Sequence, residues 1–230
     1  MAEGSVLYKS GKTIVLCTAS VDEHVPEWMK GRGAGWLTAE YQMHPRANPS
    51  RRERRDGRER PLGGRTCEIQ RLIGRSLRAA VDLKKIGERS IVIDCDVLEA
   101  DGGTRTASVT GGFIALTLAL THLKREGLLK KRPLVDQVAA VSVGHVGGSL
   151  ALDLCYQEDK NARVDLNLVA TASGSVVEVQ GTAEGRAVPR DEIDAMLDLG
   201  LAGVAELTKL QREALASQGV DLDGLLPPTN

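Results

Sequence analysis

The sequence predicts an α/β (α+β) fold in which mixed sheets pack against helices. Short runs rich in Val, Ile and Thr alternate with longer stretches whose apolar residues recur every three or four positions. The resulting order is strands, helix, strand, helix, strands, helix. Pro133 opens the second part of this order, so we divide one domain, 1–217, into halves 1–130 and 131–217. The tail, 218–230, is expected to be disordered.

The first half contains patterns for four strands and two helices. The predicted strands are Ser5–Lys9, Thr13–Ala19, Trp36–Tyr41 and Ser90–Leu98, and the predicted helices are Glu68–Lys85 and Phe113–Lys124. Ser10-Gly11-Lys12 is typical of a hairpin turn between the first two strands. The second helix is apolar nearly all round, which indicates a buried helix.

The second half contains patterns for four strands and a long helix. The predicted strands are Val138–Val146, Leu150–Tyr156, Ala162–Ala170 and Val176–Thr182, and the predicted helix is Asp191–Ala216. Gly147-Gly148 is expected to form a hairpin between the first two strands. The glycines from Gly200 to Gly203 are expected to break the helix.

Composition excludes several classes of protein. Hydrophobic residues make up 42% of the chain and aromatic residues 3%, which predicts a globular core of aliphatic side chains. No run approaches the roughly 20 apolar residues that span a bilayer, and residues 1–10 lack the apolar centre of a signal peptide. The scattered cysteines and histidines form no CxxC pair, triad or metal cluster. We therefore expect free thiols, no membrane partner and a cytoplasmic location. The cysteines are Cys17, Cys67, Cys95 and Cys155.

A glycine turn, Asp101–Thr106, separates a strand pattern from a helix pattern. Two glycines let the backbone turn tightly and bring its N–H groups close to a ligand. Thr104 and Arg105 follow at the predicted start of a helical region, where an anion is favoured. The turn is therefore a candidate phosphate site, although a Gly-Gly pair also occurs in turns that bind nothing.

Three further residues extend this candidate site. Arg65 precedes a predicted helix and offers a bidentate clamp for phosphate. Asp159 and Asp165 flank a predicted turn that leads into a strand, where two carboxylates could share one Mg²⁺. Non-functional interpretations stay open: Arg65 could pair with Glu68, Asp159 could cap a turn, and Asp165 could face solvent.

The segment from Arg46 to Arg65 is strongly basic. It holds eight arginines and three acidic residues, a net charge of +5 in a chain whose net charge is −1. Almost nothing in it is apolar, which predicts a loop. Arginines bind backbone phosphate, so the loop is a candidate nucleic-acid contact, and a solvated linker is the alternative.

Several ordered blocks resemble the bacterial ribonuclease PH family. The two longest are DCDVLEADGGTRTASVTG, from Asp94, and GGRTCEIQRLIGRSLRA, from Gly63. Shorter matches are Leu16–Val21, Gly35–Tyr41 and Val177–Gly185. The similarity extends from about residue 2 to about residue 215.

The resemblance implies a compact β-α sandwich of the ribonuclease PH type and a phosphate-dependent 3′→5′ exoribonuclease. Such enzymes trim RNA 3′ ends, notably of tRNA precursors, and release nucleoside diphosphates. By resemblance, inorganic phosphate is bound by Arg65, Gly103, Thr104 and Arg105, and Mg²⁺ by Asp159 and Asp165; the two arginines and two aspartates are the catalytic set. The implied RNA-binding residues are Arg51, Arg52, Arg54, Arg55, Arg58 and Arg60.

The family also implies a homo-hexameric ring, a trimer of dimers. The chain begins within the family pattern, after a leading segment with a first strand, so we expect that strand to be missing. Two alternatives stay open: a non-catalytic RNA-binding ring subunit of the exosome type, and a hydrolytic nuclease that uses the same aspartates. The products separate them, because hydrolysis releases monophosphates.

Overall fold

The protein is described from a computed structural model, which covers residues 1–48, 52 and 61–228. The first sheet is mixed and has the strand order β1-β2-β4-β3. Its strands are β1 (Gly4–Ser10), β2 (Thr13–Asp22), β3 (Trp36–Met43) and β4 (Ser90–Glu99). Strand β3 runs parallel to β4, and the other pairs are antiparallel. The predicted hairpin between β1 and β2 is confirmed, and Gly11 gives it a positive φ of 54°.

The second sheet is antiparallel and has the strand order β6-β5-β7-β8. Its strands are β5 (Val138–Val146), β6 (Ser149–Leu152), β7 (Val164–Thr171) and β8 (Val176–Ala183). The helices are α1 (Gly64–Ala79), α2 (Leu83–Ile86), α3 (Thr104–Arg125), α4 (Tyr156–Asn161) and α5 (Arg190–Ser217), and Glu27–Met29 forms a short 3₁₀ turn.

The elements stack in four layers: the first sheet, helices α1 and α3, the second sheet, and helix α5. The larger core lies around α1 and α3 and includes residues from both sheets. A second core joins the outer face of the second sheet to α5 through residues such as Leu166, Leu168 and Met196. Because strand side chains alternate, Asp165, Asn167 and Val169 of β7 point to the opposite face, toward α3. The predicted sandwich of sheets and helices is confirmed.

Helix α3 is buried on nearly all sides, as its apolar composition predicts. It is long and apolar enough to cross a bilayer, contrary to the expectation from the sequence, but 83% of its most apolar stretch is buried within the protein. It begins nine residues earlier than predicted. The first turns of α3 carry Ser and Thr residues, so the three-to-four-residue spacing of apolar residues that predicts a helix is absent there. Their hydroxyl groups bond to the helix backbone, as Ser108 Oγ donates to the Thr104 carbonyl at 2.8 Å.

Two other predicted elements are shorter than expected. The helix predicted over 68–85 ends at Ala79, and Asp82 then caps the separate helix α2 by accepting from the Lys84 amide. The strand predicted to reach Tyr156 ends at Leu152. Asp153, with a φ of 57°, turns the chain into α4, where the Glu158 carboxylate accepts from the Cys155 amide at 2.9 Å.

Helix α5 and the tail also differ from prediction. The helix continues through Gly200 and Gly203, where a Cβ would lie within 2.9 Å of Leu168 and Leu152 side-chain atoms, so the glycines permit close packing on the sheet. The expected disorder is wrong for residues 218–228, because four apolar side chains of this segment are buried and the Leu225 carbonyl accepts from the Leu134 amide. The four are Val220, Leu222, Leu225 and Leu226.

Candidate active site

The glycine turn is held between the two sheets. Gly102 has a φ of 87°, and a Cβ on it would lie 2.3 Å from the Leu154 carbonyl oxygen. Only glycine therefore lets the turn approach the connection between β6 and α4 so closely. On the other side, the Thr13 hydroxyl donates to the Gly102 carbonyl at 2.7 Å and accepts from the Asp101 amide at 2.9 Å.

The turn ends at the N-terminus of α3. Gly103 takes a left-handed conformation, φ 57°, and its carbonyl accepts from the Ala107 amide at 2.9 Å and the Thr106 hydroxyl at 2.8 Å. The first amides of a long helix lack partners within the helix and favour an anion. The Thr104 hydroxyl is bonded to the Tyr41 hydroxyl at 2.9 Å, in a buried position below the turn. Burial raises the pKa of Tyr41.

The two predicted arginines lie on different helices and approach the same residue. Arg65 is exposed in the first turn of α1, and Arg105 is in the first turn of α3 with 18% of its side chain exposed. The positive charges of both arginines act on Tyr41, where they partly oppose the rise in its pKa. Glu68 faces Arg105 at 3.6 Å, between Oε1 and Nη1, so the acid that was a possible partner of Arg65 lies beside the other arginine.

The two predicted aspartates lie near Arg105. Asp165 is half-buried on β7, and Asp159 is exposed on α4, a helix where a turn was expected. Burial, and secondarily the negative charge of Asp159, raises the pKa of Asp165, whereas the positive charge of Arg105 opposes this rise. The elements of the second half therefore bring Asp165 within the electrostatic influence of Arg105, and Asp159 within that of Asp165.

The donor set fits a hard divalent cation. Mg²⁺ takes oxygen ligands, keeps several waters and is usually bound by one or two carboxylates together with substrate phosphate. Asp159 and Asp165 supply two carboxylates that repel each other without a cation. Within residues 1–48, 52 and 61–228, no group of three or more His, Cys, Asp or Glu forms a metal site made by protein alone. Two carboxylates therefore match a cation shared with a phosphate ligand.

Sequence reasoning missed the side chains that hold Arg105. The Arg105 Nη1 donates to Gln180 Oε1 on β8 at 2.9 Å. On the same strand, the carboxylate of Glu178 accepts hydrogen bonds from Nε and Nη2 of Arg75, at 2.6 and 2.7 Å. The sequence does carry one signal for these side chains. Glu178 and Gln180 are two positions apart in a predicted strand, and alternation places both on the sheet face that also carries Asp165.

Of the six predicted RNA-binding residues, Arg52 alone lies within the described residues. Arg52 is exposed. Arg51, Arg54, Arg55, Arg58 and Arg60 lie outside the described residues. All four cysteines are free, as predicted, with Cys17 and Cys95 buried.

A cavity of about 380 Å³ lies behind the glycine turn. Its lining includes Gly102, Gly103, Tyr8 and Leu154, but neither the two arginines nor the two aspartates of the candidate site. The cavity is therefore separate from the four charged side chains of the candidate site.

Comparison with known proteins identifies the family. Residues 1–122 match domain 1 of the 3′ exoribonuclease family, and residues 136–203 match domain 2. The chain is 54% identical over 228 residues to Ribonuclease PH of Mycobacterium leprae, strains Br4923 and TN, covering 98% of this chain and 88% of those relatives.

Solved structures agree on the fold. Rice (Oryza sativa) Rrp46 has a TM-score of 0.73 at 17% identity, with 93% of this chain and 89% of that chain covered. The Archaeoglobus fulgidus exosome with RNA bound to its active site has a TM-score of 0.72 at 24% identity, with 90% and 83% covered. The resemblance stated from the sequence is confirmed. The chain thus belongs to the ribonuclease PH branch of the 3′ exoribonuclease family, and its activity is that of a phosphorolytic 3′ exoribonuclease.

Proposed function

We propose that this chain trims the 3′ ends of tRNA precursors and other RNA, and that Arg65, Gly103, Thr104 and Arg105 bind the attacking phosphate. The observation that carries the proposal is that Arg105, at the N-terminus of α3, is near enough to Asp165 to oppose the rise in its pKa, and that Asp159 is near enough to add to that rise. An anion site beside a pair of carboxylates suits the transfer of a nucleotidyl group between two phosphates.

The reaction joins two negatively charged groups. A phosphate oxygen attacks the phosphorus of the terminal phosphodiester, and a new P–O–P linkage forms as the bond to the 3′ oxygen breaks. That oxygen takes up a proton, and the terminal nucleotide leaves as a nucleoside diphosphate. Arg65 and Arg105 neutralise and orient the nucleophile, and the backbone amides of the turn add fixed dipoles. Such positioning requires no nucleophilic side chain.

Asp159 and Asp165 are the residues that would hold Mg²⁺. The cation, when bound, would stabilise negative charge on the scissile phosphate. The two carboxylates would repel a substrate phosphate without a counter-charge, which supports a cation-dependent reaction.

The proposal also covers the RNA contact, the oligomeric state and the cellular location of the enzyme. The net charge of +5 over 46–65 supports contact between Arg51–Arg60 and the body of a structured RNA. A homo-hexameric ring is supported by the family resemblance and by structural neighbours that are exosome subunits. Free thiols support a cytoplasmic location. Light scattering tests the hexamer.

The test of function is product identity. A 3′-extended tRNA is incubated with the protein and Mg²⁺, with and without phosphate, and the nucleotides are separated by chromatography. We expect diphosphates only when phosphate is present. Monophosphates in both reactions would identify a hydrolase, and bound but intact tRNA would identify a non-catalytic subunit; either result overturns the proposal.

The site assignment needs a matched pair of variants. Arg105→Ala is expected to abolish phosphorolysis and to leave tRNA affinity largely intact, because the RNA body is bound elsewhere. Arg190→Ala removes an arginine that is 92% exposed on α5 and is expected to change nothing. Normal phosphorolysis by Arg105→Ala would show that phosphate binds at another place.

A further inference from the structure

Arg105 is held by two acceptors of different charge. Its Nη1 lies 2.9 Å from the neutral amide oxygen of Gln180 and 3.6 Å from Glu68 Oε1. Glu68 Oε1 is buried and makes no hydrogen bond within the described part of the chain. The closest partner of the guanidinium is therefore an uncharged one, which fixes its position without adding a second negative charge to that of Glu68.

The orientation of the Gln180 amide is set by its neighbour. Gln180 Nε2 donates to Glu178 Oε1 at 3.1 Å, which leaves Gln180 Oε1 directed at Arg105. In the opposite orientation the Gln180 NH₂ group would face the Arg105 guanidinium, so that two donors would meet. The Gln180 oxygen would then face the Glu178 carboxylate, so that two acceptors would meet. Glu178 thus selects the orientation in which Gln180 accepts from Arg105.

Glu178 is itself fixed by an arginine from another layer. Arg75 of α1 donates from Nε and Nη2 to the two carboxylate oxygens, at 2.6 and 2.7 Å, in the bidentate geometry that restricts both side chains. The Glu178 side chain is 16% exposed and the Arg75 side chain 53%, so the pair lies at the surface with its carboxylate partly shielded from water.

The register of the second sheet places this chain of contacts beside the carboxylates. Gln180 is opposite Asn167 and Thr182 is opposite Asp165, so Gln180 and Asp165 lie on the same face, one diagonal position apart. The contacts therefore connect α1, β8 and α3 at the mouth of the candidate site.

We propose that Gln180 and Glu178 are positioning residues for phosphorolysis: Arg75 fixes Glu178, Glu178 orients the Gln180 amide, and Gln180 holds Arg105 where inorganic phosphate binds. This inference rests on the proposed role of Arg105 in phosphate binding. It assigns to the pair a selective effect on phosphate, because neither residue is required to contact RNA.

The first test changes charge and keeps shape. In Gln180→Glu the new carboxylate still accepts from Arg105 but neutralises it, so the KM for phosphate is expected to rise by about tenfold to a hundredfold, as one added charge at this range implies. The KM for RNA and the kcat at saturating phosphate are expected to change little. Gln218→Glu adds the same charge at an exposed position at the end of α5 and serves as the control.

The second test separates orientation from the loss of an ion pair. Glu178→Gln and Glu178→Leu both abolish the charge pair with Arg75, but only the glutamine keeps an oxygen that accepts from Gln180. We expect a nearly normal phosphate KM for Glu178→Gln and a clear rise for Glu178→Leu. Equal effects of the two variants would contradict the orienting role of Glu178.

The outcomes distinguish this inference from the proposed function. Here the readout is the Kd for inorganic phosphate, measured by titration calorimetry, because Arg105→Ala is expected to be inactive. If Arg105→Ala weakens phosphate binding but Gln180→Glu does not, the positioning role is wrong and the phosphate site stands. If Arg105→Ala leaves the phosphate Kd unchanged, the phosphate site itself is wrong. In the double variant Arg105→Ala with Gln180→Glu, we expect no weakening of phosphate binding beyond that of Arg105→Ala, and additive effects would overturn the claim that Gln180 acts through Arg105.

Discussion

Replacing Gly102 with alanine tests how tightly the glycine turn is held. Two costs follow from the structure. An L-residue at a φ of 87° is strained by roughly 1–2 kcal/mol. The new Cβ would also lie 2.3 Å from the Leu154 carbonyl oxygen and 2.9 Å from the Tyr156 amide nitrogen, so backbone must move, at a further cost of roughly 1–3 kcal/mol. We expect a total loss of about 2–5 kcal/mol, a large part of the stability of an ordinary domain.

Gly148 offers a matched control. Its φ is 90°, and nothing lies within 4 Å of the position that a Cβ would take, so Gly148→Ala carries the backbone strain without the collision. Urea unfolding of both variants, followed by circular dichroism, gives the two losses, and their difference isolates the collision. Equal losses would refute the claim that the turn packs too closely for a side chain.

The same variants report on the site. In Gly102→Ala the turn must move away from the chain that leads into α4, which carries Asp159. We therefore expect phosphorolysis to fall in Gly102→Ala under conditions where the protein is folded, and to persist in Gly148→Ala. Full activity in folded Gly102→Ala would show that the placement of the turn against α4 is not needed.

Three further substitutions have defined expectations. Burial and the charge of Asp159 raise the pKa of Asp165, so the stabilising contribution of Asp165 is present at low pH and is lost as pH rises through its folded-state pKa. At pH 7 we therefore expect Asp165→Asn to unfold at a urea concentration equal to or above that of the parent, while losing phosphorolysis. A lower urea midpoint would contradict this. Tyr41→Phe removes the hydroxyl bonded to Thr104 and should lower the free energy of unfolding in urea by about 1 kcal/mol. It should also raise the KM for phosphate but not the KM for RNA, and a change in the RNA KM alone would count against a role of Tyr41 beside the phosphate site. Gln211→Leu leaves the buried Thr110 and Val138 carbonyls without their side-chain donor and should cost about 1–3 kcal/mol with kcat unchanged, as measured by unfolding and steady-state kinetics.

Local chemistry explains which elements the sequence predicted well. Strands such as β4 carry β-branched residues in a short continuous run, and turns such as Gly147-Gly148 carry residues that accept a positive φ. Their signals lie within a few residues of each other. Helix α3 began earlier than predicted because its first turns satisfy hydroxyl groups internally, and this leaves no apolar period to detect.

The arrangement of the site depended on contacts that sequence spacing does not carry. The motif residues around Arg65 and Arg105 were found from the sequence, but their partners were not. Gln180 lies 75 positions from Arg105, and its approach depends on the packing of the second sheet against α3. The tail was misjudged for the same reason, because its scattered leucines show no period and their burial depends on the surface they meet.

The four-layer arrangement divides the reactive groups by the order in which they are synthesised. Both arginines belong to the first half of the chain, whereas Asp159, Asp165 and Gln180 follow it. A ribosome therefore releases Arg65 and Arg105 before Asp159, Asp165 and Gln180, and β7 and β8 must emerge and pair before Gln180 can accept from Arg105. A chain that ends before β8 lacks the contact that holds Arg105.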